Sequence, residues 1–533
     1  MKFFYSMTWR LLVIPILILA SLMTSATLNP SVSAPAVSTK IPPNWVPLKD
    51  AVKTMQPYDV WHNFYNLTQV PRPSHHEEKV REYLVQFGKN LGLETLVDGA
   101  GNVLIRKPAA KGMEDRKGVI LQAHMDMVPQ KTADKTHDFL KDPVDAYVDG
   151  EWVKADGTTL GADDGIGMAI GMAVLQSQKP MGTIEVLITV NEEDGMDGAL
   201  GLKAGLLKGD VLINLDSETE GEFTIGSAGG VNIAVDSAIP EVAAPANTTA
   251  YQVMISGLKG GHSGVDINLG RGHATKLMVR LLKESSAQFG ARLALLEGGS
   301  AGNAIPREAT AVIVVPKPKA AEFEQYVNKF ADILKNELKT ADPDVNVQAK
   351  PFELPLKVMD EKSQTSIINA LYATPQGVMR MSDDVPGLVE TSTNIGIVKA
   401  EKGKLEVIQF SRSSVDTELD DLIQMTSSVW ELAGMKTTLA GRFSGWKPNP
   451  SSPILILMKD IYKNLYKKEP NVIAIHAGLE CGTIRAVYPN IDAISIGPTL
   501  QDVHTPNEKL NIASVKSLYD LLLETINRIP KKG

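Results

Sequence analysis

GVILQAHMD, from Gly118 to Asp126, joins an apolar run to a His and an Asp two positions apart. Val119, Ile120 and Leu121 follow one another without a polar residue, as in a strand buried on both faces of an open α/β sheet. Alternate side chains on a strand share a face, so His124 and Asp126 leave its C-terminal end pointing the same way. Open α/β sheets place their chemistry at that end. A His with a carboxylate beside it suits a metal ligand assisted by the carboxylate. H-x-D alone is a weak signal, and its weight depends on how the later strands end.

They end in kind. TIEVLITV (Thr183 to Val190) is a β-branched strand that runs into Asn191-Glu192-Glu193-Asp194-Gly195. Neighbours within a strand face opposite ways, so Glu192 and Glu193 share a site only on the turn beyond its end. DVLINL (Asp210 to Leu215) is a third buried strand, ending in Asp216-Ser217-Glu218. Between the first two, Gly161-Ala162-Asp163-Asp164-Gly165 is a turn entering IGMAIGMAVLQ, a small-residue helix able to pack close to a sheet. The spacing is not G-x-G-x-x-G, and two acids would repel phosphate, which excludes a nucleotide loop. After the strand Ile494-Ser495-Ile496, a loop brings His504 in VHTPNE. Strands ending in an acid are common, but a succession of them is not chance. His124, Asp163, Glu193, Asp216 and His504 offer two imidazoles and three carboxylates, the inventory of a two-zinc site with one bridging carboxylate. A mixed His/carboxylate set also suits Mn²⁺ or Co²⁺.

The chain of 533 residues exceeds what one core usually supports, which predicts at least two domains. A formal net charge of -8 argues against nucleic acid as a partner. One cysteine, Cys481, excludes an intramolecular disulfide and a Cys-rich zinc site. Lys2 and Arg10 precede the apolar run Leu11 to Leu22 and a Ser/Thr/Ala/Pro-rich tail. This reads as a signal peptide and leader over 1–36, predicting an exported, periplasmic or secreted protein free of the membrane after cleavage. An uncleaved N-terminal anchor is the alternative. From Trp45 to Gly88 the pattern is helical, with Pro71-Arg72-Pro73-Ser74 read as a helix stop and a new N-cap. His75 and His76 then fall in a solvated first turn. Ser227-Ala228-Gly229-Gly230 reads as a hinge into strand–helix alternation, with helices at 274–289 and 320–338 and strands onward to Arg412. Gly441 to Pro453, rich in Gly and Pro, reads as the return linker. The expected architecture is a three-layer α/β catalytic domain with a mixed sheet, 45–229 and 443–533, interrupted by an inserted α+β lid, 230–442.

H-x-D, LGADDGIG, N-E-E-x-G, LDSE, GGHSG, NAIP, HAGLECG and VHTPNE occur in this order. Individually weak and jointly specific, they resemble the aminoacyl-histidine dipeptidase (peptidase D, bacterial carnosinase-like) branch of the co-catalytic zinc exopeptidases, from about Asp50 to the C-terminus. The resemblance implies two Zn²⁺ per subunit, one on His124 and Asp216, the other on Glu193 and His504, with Asp163 bridging. It implies that Asp126 orients His124 and that Glu192 is the general base for a hydroxide generated between the metals. It also implies oxyanion donors at His262 and Asn303, a carboxylate anchor at Arg412, and a homodimer through the inserted domain. Structural readings stand beside these: His262 and Asn303 as turn residues, Arg412 as a surface ion-pair partner. His476 and Cys481 read as structural, and Glu480 as a brace for the site. Asp164 and Asp194 add negative charge where the family frequently has Asn and a small residue. The implied activity is hydrolysis of Xaa-His and other short dipeptides with a free N-terminus. An N-acyl-amino-acid deacylase, a broader aminopeptidase or a silent peptide-binding protein are the competitors, and the presence of Glu192 counts against the last.

Overall fold

Val119–His124 is a strand buried along its whole length in the computed structural model, which describes residues 45–533. The expected leader, 1–36, lies outside the described residues. This strand is central in an eight-stranded mixed sheet, in the order Glu94–Val97, Val103–Lys107, Ile184–Thr189, Val119–His124, Val211–Asn214, Asp492–Ser495, Glu222–Ser227, Asn471–Ile475. The run from Ile184–Thr189 to Asp492–Ser495 is parallel throughout, so its four C-terminal ends open on one edge. Val119, Leu121 and Ala123 face one core with helices Tyr58–Thr68, Ala162–Gln176, Pro453–Tyr466 and Ile512–Arg528. Ile120 faces the other, with Ala199, Cys481 and Ile484. Both faces are covered, which is why the strand reads as unbroken apolar sequence. Gly171 lets its helix lie close to the sheet, since a Cβ there would fall 2.9 Å from Val186 Cγ1.

A second, nine-stranded sheet is built from Gly229 onward, and its strand pairs are antiparallel. The Ser227–Gly230 stretch expected as a hinge is strand on either side of Ala228. Glu222–Ser227 belongs to the first sheet and Gly229–Ala238 to the second. A Cβ on Gly229 would meet the backbone of Phe443, Ser444 and Gly445, so the close approach of these strands requires a glycine. Two expectations are corrected. Ser74 is not an N-cap: the helix begins at Glu78, and Ser74 reaches Asp126 instead. The stretch read as strands up to Arg412 contains a helix, Glu361–Ala373. Its signal was Asp360, whose carboxylate accepts from the N–H groups of Lys362 and Ser363. Lys276 Nζ closes its far end on the carbonyls of Leu371, Tyr372 and Thr374.

Helix Ala274–Phe289 starts on a histidine cap. His273 Nδ1 accepts from Lys276 N–H at 3.3 Å, while Nε2 lies 3.0 Å from the Ile395 carbonyl, an arrangement only the neutral ring satisfies. Burial first, and Lys276 second, hold its pKa at about 3. In the unfolded chain the ring takes a proton near pH 6.5, so unfolding absorbs a proton between these values. His273 should therefore make stability fall as pH drops from about 6.5 toward 3, by up to about 1.4 kcal/mol per pH unit. Thermal melts at pH 7 and pH 5 check this, and His273→Gln should flatten the slope.

Candidate metal centre

The ligand side chains predicted from sequence meet at the C-terminal edge of the parallel strands. His124 ends its strand, Glu193 lies on the turn past Thr189, and Asp216 follows Asn214 by two residues. Strands Leu500–Gln501 and Lys509–Asn511 pair in antiparallel fashion and close the loop that carries His504. Asp163 stands at the mouth of helix Ala162–Gln176, where it and Asp164 depart from helical geometry.

The two imidazoles sit on either side of Asp163. His124 Nε2 is 3.1 Å from Asp163 Oδ1 and 3.4 Å from Asp216 Oδ1. His504 Nε2 is 3.1 Å from Asp163 Oδ2 and 2.9 Å from Glu193 Oε2. Candidate ligand atoms of His124, Asp163 and Glu193 all lie within 4.8 Å of one another. Asp163 thus offers one oxygen to each imidazole, with one further carboxylate beside each.

Asp126 stands behind His124. Its Oδ1 is 3.3 Å from His124 Nδ1 and accepts Glu192 N–H at 3.0 Å. Its Oδ2 accepts Ser74 Oγ–H at 2.8 Å and Glu193 N–H at 3.3 Å. Burial works to raise this carboxyl, but His124 and these donors outweigh it and hold it at about 2. One carboxylate therefore fixes a ring and the acidic turn together.

The cluster is short of positive charge. Among the described residues no Lys or Arg pairs with Asp163, Glu193 or Asp216, and the buried Glu193 Oε1 has no hydrogen-bond partner. Burial pushes Asp216 well above the usual carboxylate range, with repulsion from Asp163 and Glu192 adding to it. Hydrogen bonds to Asp163 and Glu193 raise His504 to about 11, against burial. His124 is also raised, the attraction of Asp216 and its hydrogen bonds to the acids outweighing burial. These raised proton affinities reflect the excess negative charge of the cluster. Oxygen and nitrogen donors facing inward with excess negative charge fit divalent cations.

Glu192 sits beside this set unspent. Its carboxyl has no ion pair or hydrogen bond among the described residues. Burial lifts its pKa to about 8, with Glu480, Glu193 and Asp163 repelling its charge while His124 favours it. Glu480 is fully buried, takes Gln122 Nε2–H at 2.6 Å and Thr189 Oγ1–H at 2.7 Å, and leaves Oε1 unpartnered.

Sequence reasoning missed Arg72 and Glu508. Arg72 is a buried guanidinium that donates to the carbonyls of Met125 (3.0 Å), Asp126 (2.7 Å) and Gly161. Glu508 is a buried carboxylate that accepts the N–H groups of Leu160, Gly161, Ala162 and Asp163. The proline-flanked Arg72 gave no periodic signal. Glu508 could have been suspected from its place four residues after His504. His75 and His76 are exposed and precede the helix, with His75 paired to Asp194 at 2.8 Å.

His262, Asn303 and Arg412 also come together, on the second sheet and its loops. His262 pairs with Ala304 across a two-strand ladder, and Ser263 N–H donates to the Asn303 carbonyl at 2.8 Å. Arg412 Nη2 is 3.4 Å from His262 Nε2, and its guanidinium lies 4.4 Å from the Phe410 ring centre. Arg412 is 4% exposed, Nε has no partner, and it makes no ion pair among the described residues, which excludes the surface ion pair. Burial alone lowers its pKa to about 10. His476, bonded to Ser392 Oγ at 2.7 Å, adds a buried imidazole whose pKa is about 3 through burial and then Arg412 and His262. The loop from His476 to Glu480 spans from this basic group to the acidic cluster.

Two measurements check the centre. Asp126→Ala should retain much of the metal and lose most activity, whereas His124→Ala should lose a metal outright, as read by metal content. Because neighbouring carboxylates raise the proton affinity of both imidazoles, loading should release a countable number of protons and tighten as pH rises. Calorimetry in buffers of different ionisation enthalpy reads that number.

Residues 120–528 match the family model described as peptidase family M20/M25/M40. The chain is 44% identical over 479 residues to the cytosol non-specific dipeptidase of Escherichia coli, covering 90% of this chain and 99% of that protein. It superposes on the aminoacylhistidine dipeptidase of Vibrio alginolyticus with a TM-score of 0.85 at 44% identity, over 90% of this chain and 99% of that one. An aminopeptidase from Bacillus cereus shares the fold at 16% identity, with a TM-score of 0.55 over 89% of this chain and 99% of that one. The expected export, with its anchored alternative, is corrected by the likeness to a protein named for the cytosol. An apolar run of about a dozen residues is a compositional signal that core and interfacial segments share with leaders.

Proposed function

We propose, for a chain that belongs to peptidase family M20/M25/M40 and is a metal-dependent dipeptidase, that it cleaves Xaa-His and other short dipeptides with a free N-terminus at a two-zinc site. His124 and Asp216 would hold one ion and Glu193 and His504 the other, with Asp163 shared. Mn²⁺ or Co²⁺ would suit the same donors. When bound, such ions supply the Lewis acidity that makes water nucleophilic near neutral pH.

The observation that carries this reading is the unequal treatment of two adjacent glutamates. Glu193 Oε2 is engaged with His504, while the Glu192 carboxyl beside it is half-buried and makes no ion pair or hydrogen bond among the described residues. Glu192 would take a proton from the attacking water and deliver it to the amine nitrogen as the C–N bond breaks. Burial raises its proton affinity above that of an ordinary glutamate, and cations bound beside it would lower it, which suits a group that must accept the proton and then release it.

The substrate's other end would lie on the second sheet. An unpaired buried guanidinium is costly unless an anion completes it, and the C-terminal carboxylate of a dipeptide is such an anion. Arg412 would be that anchor. His262 Nδ1 accepts N–H groups of Gly264 and Val265, which leaves a proton on Nε2 as an oxyanion donor, and Asn303 is its neighbour. The catalytic domain would comprise 45–229 and 443–533, and the inserted lid 230–442. A homodimer through the lid is supported by Leu432, 90% exposed, and Leu439 on the Thr437–Phe443 edge strand.

Ala-His and β-alanyl-histidine should be hydrolysed, and a chelator should stop turnover. Faster cleavage of N-acetylated amino acids would instead favour the deacylase. Glu192→Gln should cut kcat by about 10²–10⁴-fold with metal content retained. Arg412→Ala should lower kcat/KM by roughly 30-fold or more, read with dipeptides and their C-terminal amides.

A further inference from the structure

We infer that Glu508 is the positioning residue that fixes the shared Asp163 before any metal arrives, and that it thereby links the loading of both metal positions. The inference rests on the ligand assignment above and extends it to a residue that touches neither metal.

Four consecutive N–H groups converge on this one carboxylate. Leu160 and Gly161 donate to Oε2 at 2.7 and 3.0 Å, and Ala162 and Asp163 donate to Oε1 at 2.7 and 3.3 Å. Successive N–H groups around a left-handed residue form a concavity that attracts anions, and Gly161 has φ +66°. Glu508 fills that concavity from within the chain. With both oxygens committed to the backbone, it is a clamp and not a ligand.

Arg72 grips the same peptide segment through its carbonyl. Its guanidinium bonds the Gly161 carbonyl together with those of Met125 and Asp126, just past the strand that carries His124. The glycines of LGADDG make room for it. A Cβ on Gly161 would fall 2.8 Å from Arg72 Nη2, and one on Gly165 would fall 2.5 Å from it. Asp163 is therefore tied through Arg72 to the His124 strand and through Glu508 to the His504 loop. Both ties are charge-assisted hydrogen bonds that exist without metal.

Glu508→Gln preserves size, but its amide nitrogen would face N–H donors and lose two of the four bonds. Zinc affinity is read by competition with a chromophoric chelator on metal-stripped full-length protein, alongside thermal unfolding without metal. Both zinc positions should weaken by about 10–100-fold. At saturating zinc, kcat should stay about tenfold or more below wild type with KM within about threefold, since a displaced bridge alters the reacting geometry. Wild-type zinc affinity in Glu508→Gln, whatever its melting temperature, overturns the inference; a purely structural role would move only the melt. If that variant does not fold, Arg72→Lys, which keeps the charge but not the three-carbonyl reach, should weaken zinc likewise, and wild-type affinity there overturns the inference. Asp163→Asn separates the two readings. If it keeps both zincs at wild-type affinity, the ligand assignment itself fails. If it loses zinc while Glu508→Gln does not, only the clamp fails.

Discussion

Asp163, Glu193 and Asp216 bring three acidic groups to within 3.4 Å of the same two imidazoles, and mutual repulsion would scatter loops whose backbone was free. The chain answers with side chains that hold backbone. Asp126 takes the N–H groups of Glu192 and Glu193, Glu508 takes those before Asp163, and Arg72 takes carbonyls from both loops. The acidic groups stay close because their peptides cannot move apart. A divalent ion then finds a geometry already formed, and ordering it costs little.

The hydrophobic architecture gives that arrangement its foundation. Four parallel strands with both faces buried end on one edge, so the residues that follow them share a neighbourhood without being near in sequence. Gln122 spans two of those strands, bonding Glu480 on one side and taking Asn214 Nδ2–H at 2.7 Å on the other. Ser495 donates to Asn214 and meets Ser217 Oγ at 2.7 Å, which continues the polar layer under the site. The strand ends that lead to the candidate ligands are braced by such contacts.

The candidate ligands' shared edge was legible because strand periodicity is local: a buried run followed by an acid or His declares both a strand and an edge. What stayed hidden depends on long-range contacts. Arg72 gains its role from carbonyls 53 to 89 residues away, and Glu508 from amides 345 to 348 residues away. Neither carries a periodic or motif signal of its own. Ser74 had the composition of an N-cap, but the bond to Asp126 prevailed. Helix Glu361–Ala373 had a legible cap at Asp360, yet its β-branched and polar residues blurred the helical period. Charge deficiency was visible only in three dimensions, where, among the described residues, Arg412 has no acid partner and the candidate metal cluster no Lys or Arg.

The passage between the two sheets has a mechanical consequence. Ala228 alone separates a strand of one sheet from a strand of the other, and its N–H is bonded to the Ala477 carbonyl at 2.9 Å. Ala477 lies between His476, at the basic group, and Glu480, under the acidic one. One hydrogen bond thus ties the point where the chain changes sheets to the loop that spans the basic and acidic groups. The return crossing lies beside it, where Ser227 and Trp446 exchange backbone hydrogen bonds at 2.9 Å, so both passages between the sheets meet at one place.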